Sequence, residues 1–463
     1  MKPIFIFSLL TLSTWGICQQ DSMVAKLNAY FKDIDHTKHP GLSISLLENG
    51  KIVYRNSFGM ANLENGTPFK EETVSDIGSV AKHITNFALL HLINENNLTL
   101  SDSLANFFPT LKNHPAGKIT LQQLMQHTSG LREIYSKLGL QGGRMGQPIF
   151  QEDALNLVEA SESLNFPAGS SFSYCNTGYM LLAEIIHKVS KMSYEAYLKE
   201  KIFQPLSMSN SYVMDKQGEI FPNMSNSYHL SQNKWTAVYD NSTAFGQGGI
   251  YMSQQDIEKW FLFLTSAETN KERPIQNLLK KTILNNGDTL NYAFGIENNT
   301  FGPVNYWQHT GSSAGFRAAF TWIPETNLVL ILKSNYSSFN AIKTTEDLLS
   351  ILFSLPQKAE KQKVNGINAE NHLSLDSKDG ISWQGDYYSK EMDVMYSFIL
   401  LENKLYCKHP LRGSTEVKKD VNGNYVANPF FTSLKPERDK KGNITHIYMN
   451  TADLIHLKFV KMK

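Results

Sequence analysis

A serine and a lysine stand three residues apart at the start of a strongly apolar stretch of this 463-residue chain. Ser79 and Lys82 would share one face of a helix that runs to about Asn94, because positions i and i+3 are neighbours on a helix surface. Burial disfavours the charged form of a lysine, and its free amine can take the proton of a serine hydroxyl. The pair predicts a serine nucleophile with a lysine base, although this spacing is common by chance.

A second stretch supplies a phenol and an amide. Tyr174 and Asn176 follow Phe166-Pro-Ala-Gly169 and stand on a predicted loop just before a helix that begins near Thr177. A phenol near a lysine can pass protons, and a side-chain amide can both donate to and accept from a substrate's amide bond. Both residues are candidates for the site of Ser79.

A third stretch enters a predicted strand that starts near Gly315. It contains His309, Gly311 and Ser312. A glycine at this place lets a substrate backbone approach, and the Ser312 amide can pair with the Ser79 amide as an oxyanion hole. These residues are candidates for substrate binding.

The order of the three stretches resembles that of the serine β-lactamase and penicillin-binding-protein superfamily. The resemblance is strongest to the branch that contains the class C β-lactamases, D-aminopeptidases and related esterases. Further stretches typical of that branch accompany them, so the resemblance extends over about residues 40–335: Leu124-Met-Gln-His-Thr-Ser-Gly-Leu131, Phe166-Pro-Ala-Gly169, Tyr174-Cys-Asn-Thr-Gly-Tyr179 and Gly246-Gln-Gly-Gly249. The resemblance implies that Ser79 is acylated, that Lys82 activates it and that Tyr174 relays protons. It also implies that Asn176 orients the acyl group and that the Ser79 and Ser312 amides bind the oxyanion.

His309 departs from the pattern, because β-lactamases and transpeptidases usually have a lysine there. A histidine with its ordinary pKa of about 6.5 is mostly neutral at pH 7 and binds a substrate carboxylate less well. We therefore expect an esterase, amidase or D-aminopeptidase acting through an acyl-enzyme, with pH-dependent behaviour from His309. A β-lactamase or D,D-carboxypeptidase is the alternative within the class, and a non-catalytic binder or sensor is the alternative outside it.

Two other motifs favour structural roles. His127 and Ser129 stand at a predicted helix end, where capping and packing are more common than catalysis. Gly246-Gln-Gly-Gly249 has neither the lysine of a phosphate loop nor dinucleotide-binding spacing. Without an H-E-x-x-H motif or clustered Cys and His, we expect no metal and no cofactor.

The elements that position these residues predict an α+β fold. Strands at both ends of a helical middle, which includes a capping-box start at Thr120 and Gln123, indicate one unit over residues 19–355 whose ends meet in a sheet. The resemblance implies a β-lactamase/transpeptidase-like fold, an antiparallel sheet flanked by helices with an added helical region. Residues 356–375 have linker composition, and the short alternating runs over 376–463 predict an antiparallel barrel or sandwich. The region resembles the small lipocalin-like β-barrels appended to some of these hydrolases, which implies a small antiparallel β-barrel domain. Because every candidate residue precedes Lys333, we expect this barrel to be dispensable for the chemistry.

The first residues indicate an exported protein, and the charge balance bears on its partners. One lysine, a short apolar run and small residues before Gln19 predict a signal peptide over residues 1–18, and hence a periplasmic or extracellular location. No later stretch predicts a membrane span, and lipid attachment at Cys18 is a weaker alternative. The 44 Lys and Arg nearly balance the 43 Asp and Glu, so nucleic acid is not an expected partner. We expect a small-molecule or peptide substrate and leave the oligomeric state open.

Overall fold

The computed structural model describes residues 23–34, 37–143, 147–266, 273–356, 373–374, 377–420 and 423–462. The predicted signal peptide and most of the predicted linker lie outside these ranges. Their boundaries therefore stay predictions.

The region before the linker contains fifteen described strands, which occupy both ends of the unit and several short hairpins. The strands are β1 (Leu42–Glu48), β2 (Lys51–Phe58), β3 (Met60–Asn62), β4 (Thr67–Pro68), β5 (Ser75–Asp76), β6 (Ser211–Val213), β7 (Ser227–Ser231), β8 (Lys234–Val238), β9 (Ile250–Met252), β10 (Thr282–Ile283), β11 (Thr289–Leu290), β12 (Glu297–Phe301), β13 (Val304–Ser313), β14 (Phe316–Ile323) and β15 (Leu328–Ser334).

Helices fill the middle of the same region and flank its main sheet. They are α1 (23–30), α2 (Ala81–Glu95), α3 (Leu104–Phe107), α4 (Leu121–Met125), α5 (Ile134–Leu140), α6 (Asp153–Ala160), α7 (Asn176–Ser190), α8 (Tyr194–Leu198), α9 (Gln254–Thr265) and α10 (Ala341–Leu352). Short 3-10 turns lie at Gly78–Val80, Pro109–Leu111, Pro115–Lys118 and Pro274–Leu278, and a π-helical turn lies at Lys199–Phe203.

The main sheet has six strands in the order β12-β13-β14-β15-β1-β2, all neighbours antiparallel. Its centre joins the two ends of the unit, because Leu42 of β1 lies opposite Ser334 of β15. One face packs on α1 and α10, and the other packs on α2 and α9. The sheet confirms the predicted meeting of the termini, and it holds β13 beside the start of α2.

Helix α2 is buried on nearly all sides, as its almost unbroken apolar sequence predicts. The buried residues include Lys82, His83, Thr85 and Asn86 among the apolar ones. A lysine in such a place must either find acceptors or lose its proton.

The C-terminal strands form the predicted barrel. The ten strands described after the linker form one antiparallel sheet, and nine of them make a nearly closed barrel that corresponds only loosely to a lipocalin-like barrel. The elements after the linker are β16 (Leu373–Ser374), α11 (Ser377–Trp383), β17 (Gly385–Ser389), β18 (Val394–Leu401), β19 (Lys404–His409), β20 (Gly413–Glu416), β21 (Lys418–Lys419), β22 (Tyr425–Ala427), β23 (Phe431–Arg438), β24 (Ile444–Asn450) and β25 (Leu457–Lys461). Buried aromatic side chains, among them Trp383, Tyr396 and Phe459, fill its interior.

Both cysteines of the described chain, Cys175 and Cys407, are free and buried. Within the described ranges, no helix combines the length and the apolar character that crossing a membrane requires. The same ranges contain no group of three or more His, Cys, Asp or Glu side chains arranged to hold a metal ion.

Candidate active site

Ser79 lies in the 3-10 turn that leads into α2, and two glycines bring this turn against β13. Gly78 has φ +52°, which side chains rarely adopt, and a Cβ there would lie 2.6 Å from the Ser312 amide nitrogen. A Cβ on Gly311 would lie 1.9 Å from the Ile77 carbonyl oxygen and 3.2 Å from the Ser79 amide nitrogen. No larger residue fits at either position, so the close approach of the two backbones depends on both glycines.

Beyond Gln308, the edge of β13 beside this turn has no paired strand among the described residues. Strand β12 pairs with β13 only from Val304 to Gln308, whereas β14 pairs with its other edge from Trp307 to Ser313. The Ser79 turn occupies the place that a longer β12 would fill. The structure thus brings together the Ser79 and Ser312 amides, as an oxyanion hole requires.

Lys82 is fully buried and donates from Nζ to three acceptors. These are Ser79 Oγ at 3.1 Å, Asn176 Oδ1 at 2.7 Å and the Gln247 carbonyl oxygen at 2.7 Å. Burial lowers the pKa of Lys82 to about 7, partly opposed by the negative charge of Glu133. A pKa near neutrality makes the free amine accessible at physiological pH, and that form can accept the Ser79 proton.

The Tyr174 ring lies beside the same lysine, with its centroid 4.8 Å from Lys82 Nζ. Burial raises the pKa of Tyr174 well above its ordinary value, and a hydrogen bond with Ser79 opposes this only in part. Tyr174 is a neutral phenol at physiological pH. It can relay a proton, but Lys82 is the group that can act as the base.

Asn176 connects Lys82 to a buried carboxylate that the sequence analysis missed. Its Nδ2 donates to Glu133 Oε1 at 2.9 Å and its backbone amide donates to Glu133 Oε2 at 2.5 Å. With Oδ1 bound to Lys82, the orientation of the Asn176 amide is determined on both sides. In the sequence, a glutamate next to Arg132 is typical of a solvated ion pair. Only its place directly after the stretch Leu124–Leu131 indicates that Glu133 could belong to the site.

Gln247 was also missed as a site residue. Its carbonyl oxygen accepts from Lys82, and the residue belongs to the cleft lining. Gly246 and Gly249 have φ of +98° and +73°, and a Cβ on Gly246 would lie 2.4 Å from the Tyr179 carbonyl. The glycine-rich stretch thus shapes the turn that presents Gln247.

His309 is placed behind Tyr174 and belongs to a chain of hydrogen bonds. The Cys175 amide donates to His127 Nδ1 at 2.9 Å, so His127 carries its proton on Nε2 and donates to the Tyr292 hydroxyl at 3.1 Å. That hydroxyl then donates to His309 Nε2 at 3.3 Å, and His309 Nδ1 donates to the Thr310 carbonyl at 2.7 Å. Both ring nitrogens of each histidine are used by the protein.

This environment changes what we expect of His309. Burial and the nearby Lys82 charge lower the pKa of His309 to about 3. With its pKa lowered in this way, His309 is neutral near pH 7, and we no longer expect it to titrate near pH 6.5. The reference value failed because it describes a solvated imidazole, whereas His309 is 5% exposed.

A cleft of about 430 Å³ opens over Ser79. Asn176, Ser312 and Gln247 line it, together with the carboxyl groups of Asp76 and Asp240. Lys82, Tyr174 and His309 lie beneath this surface. The predicted residues therefore lie together at the bottom of the cleft, and His309 lies behind Tyr174.

Similarity to known proteins extends over most of the chain. The Beta-lactamase family model matches residues 24–351. A D-aminopeptidase from Gluconobacter oxydans is 22% identical over 343 residues, 74% of this chain and 64% of that protein, so this chain spans less than two thirds of that relative. A D-aminopeptidase from Brucella melitensis is 23% identical over 448 residues, 92% of this chain and 77% of that protein. The octameric penicillin-binding protein homologue from Pyrococcus abyssi has a similar fold, with a TM-score of 0.62 at 22% identity over 96% of this chain and 100% of that one.

Proposed function

The chain belongs to the Beta-lactamase family and is a serine hydrolase, and from this premise we propose that it is an exported enzyme that hydrolyses an ester or amide bond through an acyl-enzyme on Ser79. The observation that carries the proposal is the buried Lys82, whose Nζ lies 3.1 Å from Ser79 Oγ and whose pKa is lowered to about 7. Export is supported by the signal-peptide pattern of residues 1–18.

In acylation, the free amine of Lys82 takes the Ser79 proton while Oγ attacks the substrate carbonyl. The Ser79 and Ser312 amides stabilise the negative charge that develops on the carbonyl oxygen. The proton then passes to the leaving group through the neutral Tyr174 phenol, the carbonyl re-forms and the leaving group departs. Water attacks the acyl-enzyme by the same steps in reverse and releases the acid.

The cleft wall favours a neutral or amine-bearing substrate. Asp76 and Asp240 offer carboxyl groups, and the buried Gln247 Oε1 has no hydrogen-bond partner within the described structure. Burial raises the pKa of Asp76 to about 7, and a bound cation would favour its ionised form. The exposed Asp240 carboxylate in the cleft lining suits the ammonium of an aminoacyl group, which agrees with the D-aminopeptidase relatives.

The alternative is a β-lactamase or D,D-carboxypeptidase, which binds a carboxylate. Arg317 supports it, because this cation belongs to the lining of the same cleft, although its guanidinium donates to the Ala314 and Phe316 carbonyl oxygens. The neutral His309 adds no positive charge for such a substrate. We therefore place the amine-bearing amide and the neutral ester first.

A substrate panel tests the proposal. We expect kcat/KM for D-alanine p-nitroanilide to exceed that for its N-acetyl derivative and for the penicillin-like reporter nitrocefin. Asp240→Asn should raise KM for the free amine severalfold and leave p-nitrophenyl butyrate unchanged, since that ester has no charge to bind. Efficient nitrocefin turnover with no preference for the free amine would favour the β-lactamase alternative instead.

A further inference from the structure

One segment of the catalytic domain contacts both the C-terminal barrel and the surroundings of Lys82. It consists of Arg132, Glu133 and helix α5, and we call it the interdomain segment. Glu133 binds Asn176 on the catalytic side. The opposite side of the same segment faces the C-terminal barrel.

Arg132 is the centre of the barrel contact. Its side chain is 1% exposed, and Nε donates to Glu391 Oε1 of the barrel at 2.6 Å. A second nitrogen donates to the Ile455 carbonyl of the barrel and to Asn165 Oδ1. An arginine buried in this way depends on its carboxylate, because an unpaired charge in the interior is strongly disfavoured.

Helix α5 ends against the barrel as well. The last carbonyls of a helix have no partner within it. Here Arg412 donates to the Gly139 carbonyl at 2.8 Å, and the Tyr396 hydroxyl donates to the Leu140 carbonyl at 3.1 Å. The barrel thus holds the interdomain segment at both ends.

The interdomain segment is in turn hydrogen-bonded to the turn that carries Asn176. The Thr177 hydroxyl donates to the Arg132 carbonyl at 2.7 Å and accepts from the Ile134 amide at 3.0 Å. Together with the two bonds from Asn176 to Glu133, these contacts link the position of Arg132 to that of Asn176. A shift of Arg132 would therefore move an acceptor of the Lys82 ammonium.

We propose that the C-terminal barrel is a positioning element of the active site, in which Glu391 holds Arg132 and thereby fixes Glu133 and Asn176 against Lys82. The inference rests on the proposed function of the Ser79 site. It reverses the expectation that the barrel is dispensable for chemistry, which considered only where the reactive residues lie along the chain.

The test uses the full chain with Glu391→Gln, and Tyr396→Phe as a second variant. Glu391→Gln keeps the shape but removes the charge that Arg132 requires, and Tyr396→Phe removes one bond to the end of α5. Asp386→Asn is the matched control, because Asp386 accepts from Ser397 inside the barrel at 2.6 Å. Near-wild-type melting temperatures establish which variants fold.

With p-nitrophenyl butyrate, we expect Glu391→Gln to lower kcat at least tenfold and Tyr396→Phe about threefold, with KM within twofold of wild type and the control unchanged. If Glu391→Gln does not fold, Tyr396→Phe alone decides. Unchanged kcat in the folded variants would overturn the proposal, and so would an equal loss in Asp386→Asn.

A readout without turnover separates this proposal from the proposed function. In protein with ¹³C-labelled lysine, the Lys82 resonance, assigned by its loss in Lys82→Met, reports the Lys82 pKa. Its charged and titratable surroundings are Glu133, Cys175, Tyr174, Tyr179, His127 and His309. Glu391→Gln should lower this pKa by loosening Glu133, even if no substrate is turned over. A wild-type protein inactive on every ester and amide would refute the proposed function, whereas an unshifted Lys82 pKa would refute the positioning role of the barrel.

Discussion

Replacing Glu133 with glutamine should move the pH dependence of catalysis in a direction set by the Lys82 charge. The Glu133 carboxylate stabilises the ammonium form of Lys82 and so raises its pKa. Removing that charge lowers the pKa of Lys82. The acid limb of kcat/KM, which we expect near pH 7 because the free amine is the active form, should therefore shift to lower pH.

The spacing of the two groups sets the order of magnitude of this shift in the pH range where Glu133 is ionised, a range that burial moves upward by raising the pKa of Glu133. Asn176 separates the two charged groups, with contacts of 2.7 Å to Lys82 and 2.9 Å to Glu133. With the width of the amide added, the charges lie about 7 Å apart, and at an effective dielectric constant of about 20 their attraction is about 2 kcal/mol. An attraction of this size corresponds to moving the acid limb by between about one and two pH units, because one pKa unit is about 1.4 kcal/mol.

Glu133→Gln should also reduce kcat, because the NH₂ group of the new side chain must face one of the two N–H donors of Asn176. Both Glu133 oxygens accept from Asn176 in the wild type, and the glutamine NH₂ cannot. Stopped assays with p-nitrophenyl butyrate from pH 5 to 9 measure both effects. His309→Gln is the control, since His309 stays neutral and should leave the limb near pH 7.

Two results would refute this reasoning. One is an acid limb that stays at the same pH or moves upward in Glu133→Gln. The other is a limb that disappears in His309→Gln, since the titrating group would then be the histidine and Lys82 would have another role.

Three further predictions follow from the same geometry. Ser79→Ala should retain less than a tenth of the esterase activity with an unchanged melting temperature. Lys82→Ala should be nearly as inactive, because serine without its base is a weak nucleophile. Activity retained by Lys82→Ala would contradict the proton relay. Gly311→Ala should lower kcat at least about a hundredfold, the usual order for losing an oxyanion donor, because its methyl would meet the Ile77 carbonyl; near-normal kcat would exclude this oxyanion hole. Wild type should hydrolyse p-nitrophenyl butyrate better than nitrocefin at pH 7, and the reverse order would contradict the role given to neutral His309.

The sequence predicts most of the fold because its signals are local. The apolar pattern after Ser79 predicts a buried helix, and α2 spans Ala81–Glu95. The capping box at Thr120 and Gln123 is present at the start of α4. Strand patterns at both ends of the unit predict a sheet in which those ends meet, and β1 pairs with β15.

The parts that could not be predicted depend on contacts between distant segments. Glu133 becomes part of the site only because Asn176, 43 positions later, places two donors on it. The Gln247 group that binds Lys82 is a backbone carbonyl, which every residue type has. The pKa of His309 depends on burial by neighbours from several elements, and the barrel contact to Arg132 joins residues 259 positions apart.

The central claim is that Ser79 becomes acylated with Lys82 as its base, and covalent capture tests it most directly. Intact mass after treatment with a fluorophosphonate should show one added phosphonyl group, located at Ser79 by peptide mapping. The labelling rate should rise with pH through an apparent pKa of about 7 and fall at least tenfold in Lys82→Ala, because the free amine generates the nucleophile. A folded protein that stays unlabelled, is labelled at another residue or is labelled equally fast without Lys82 would contradict the account.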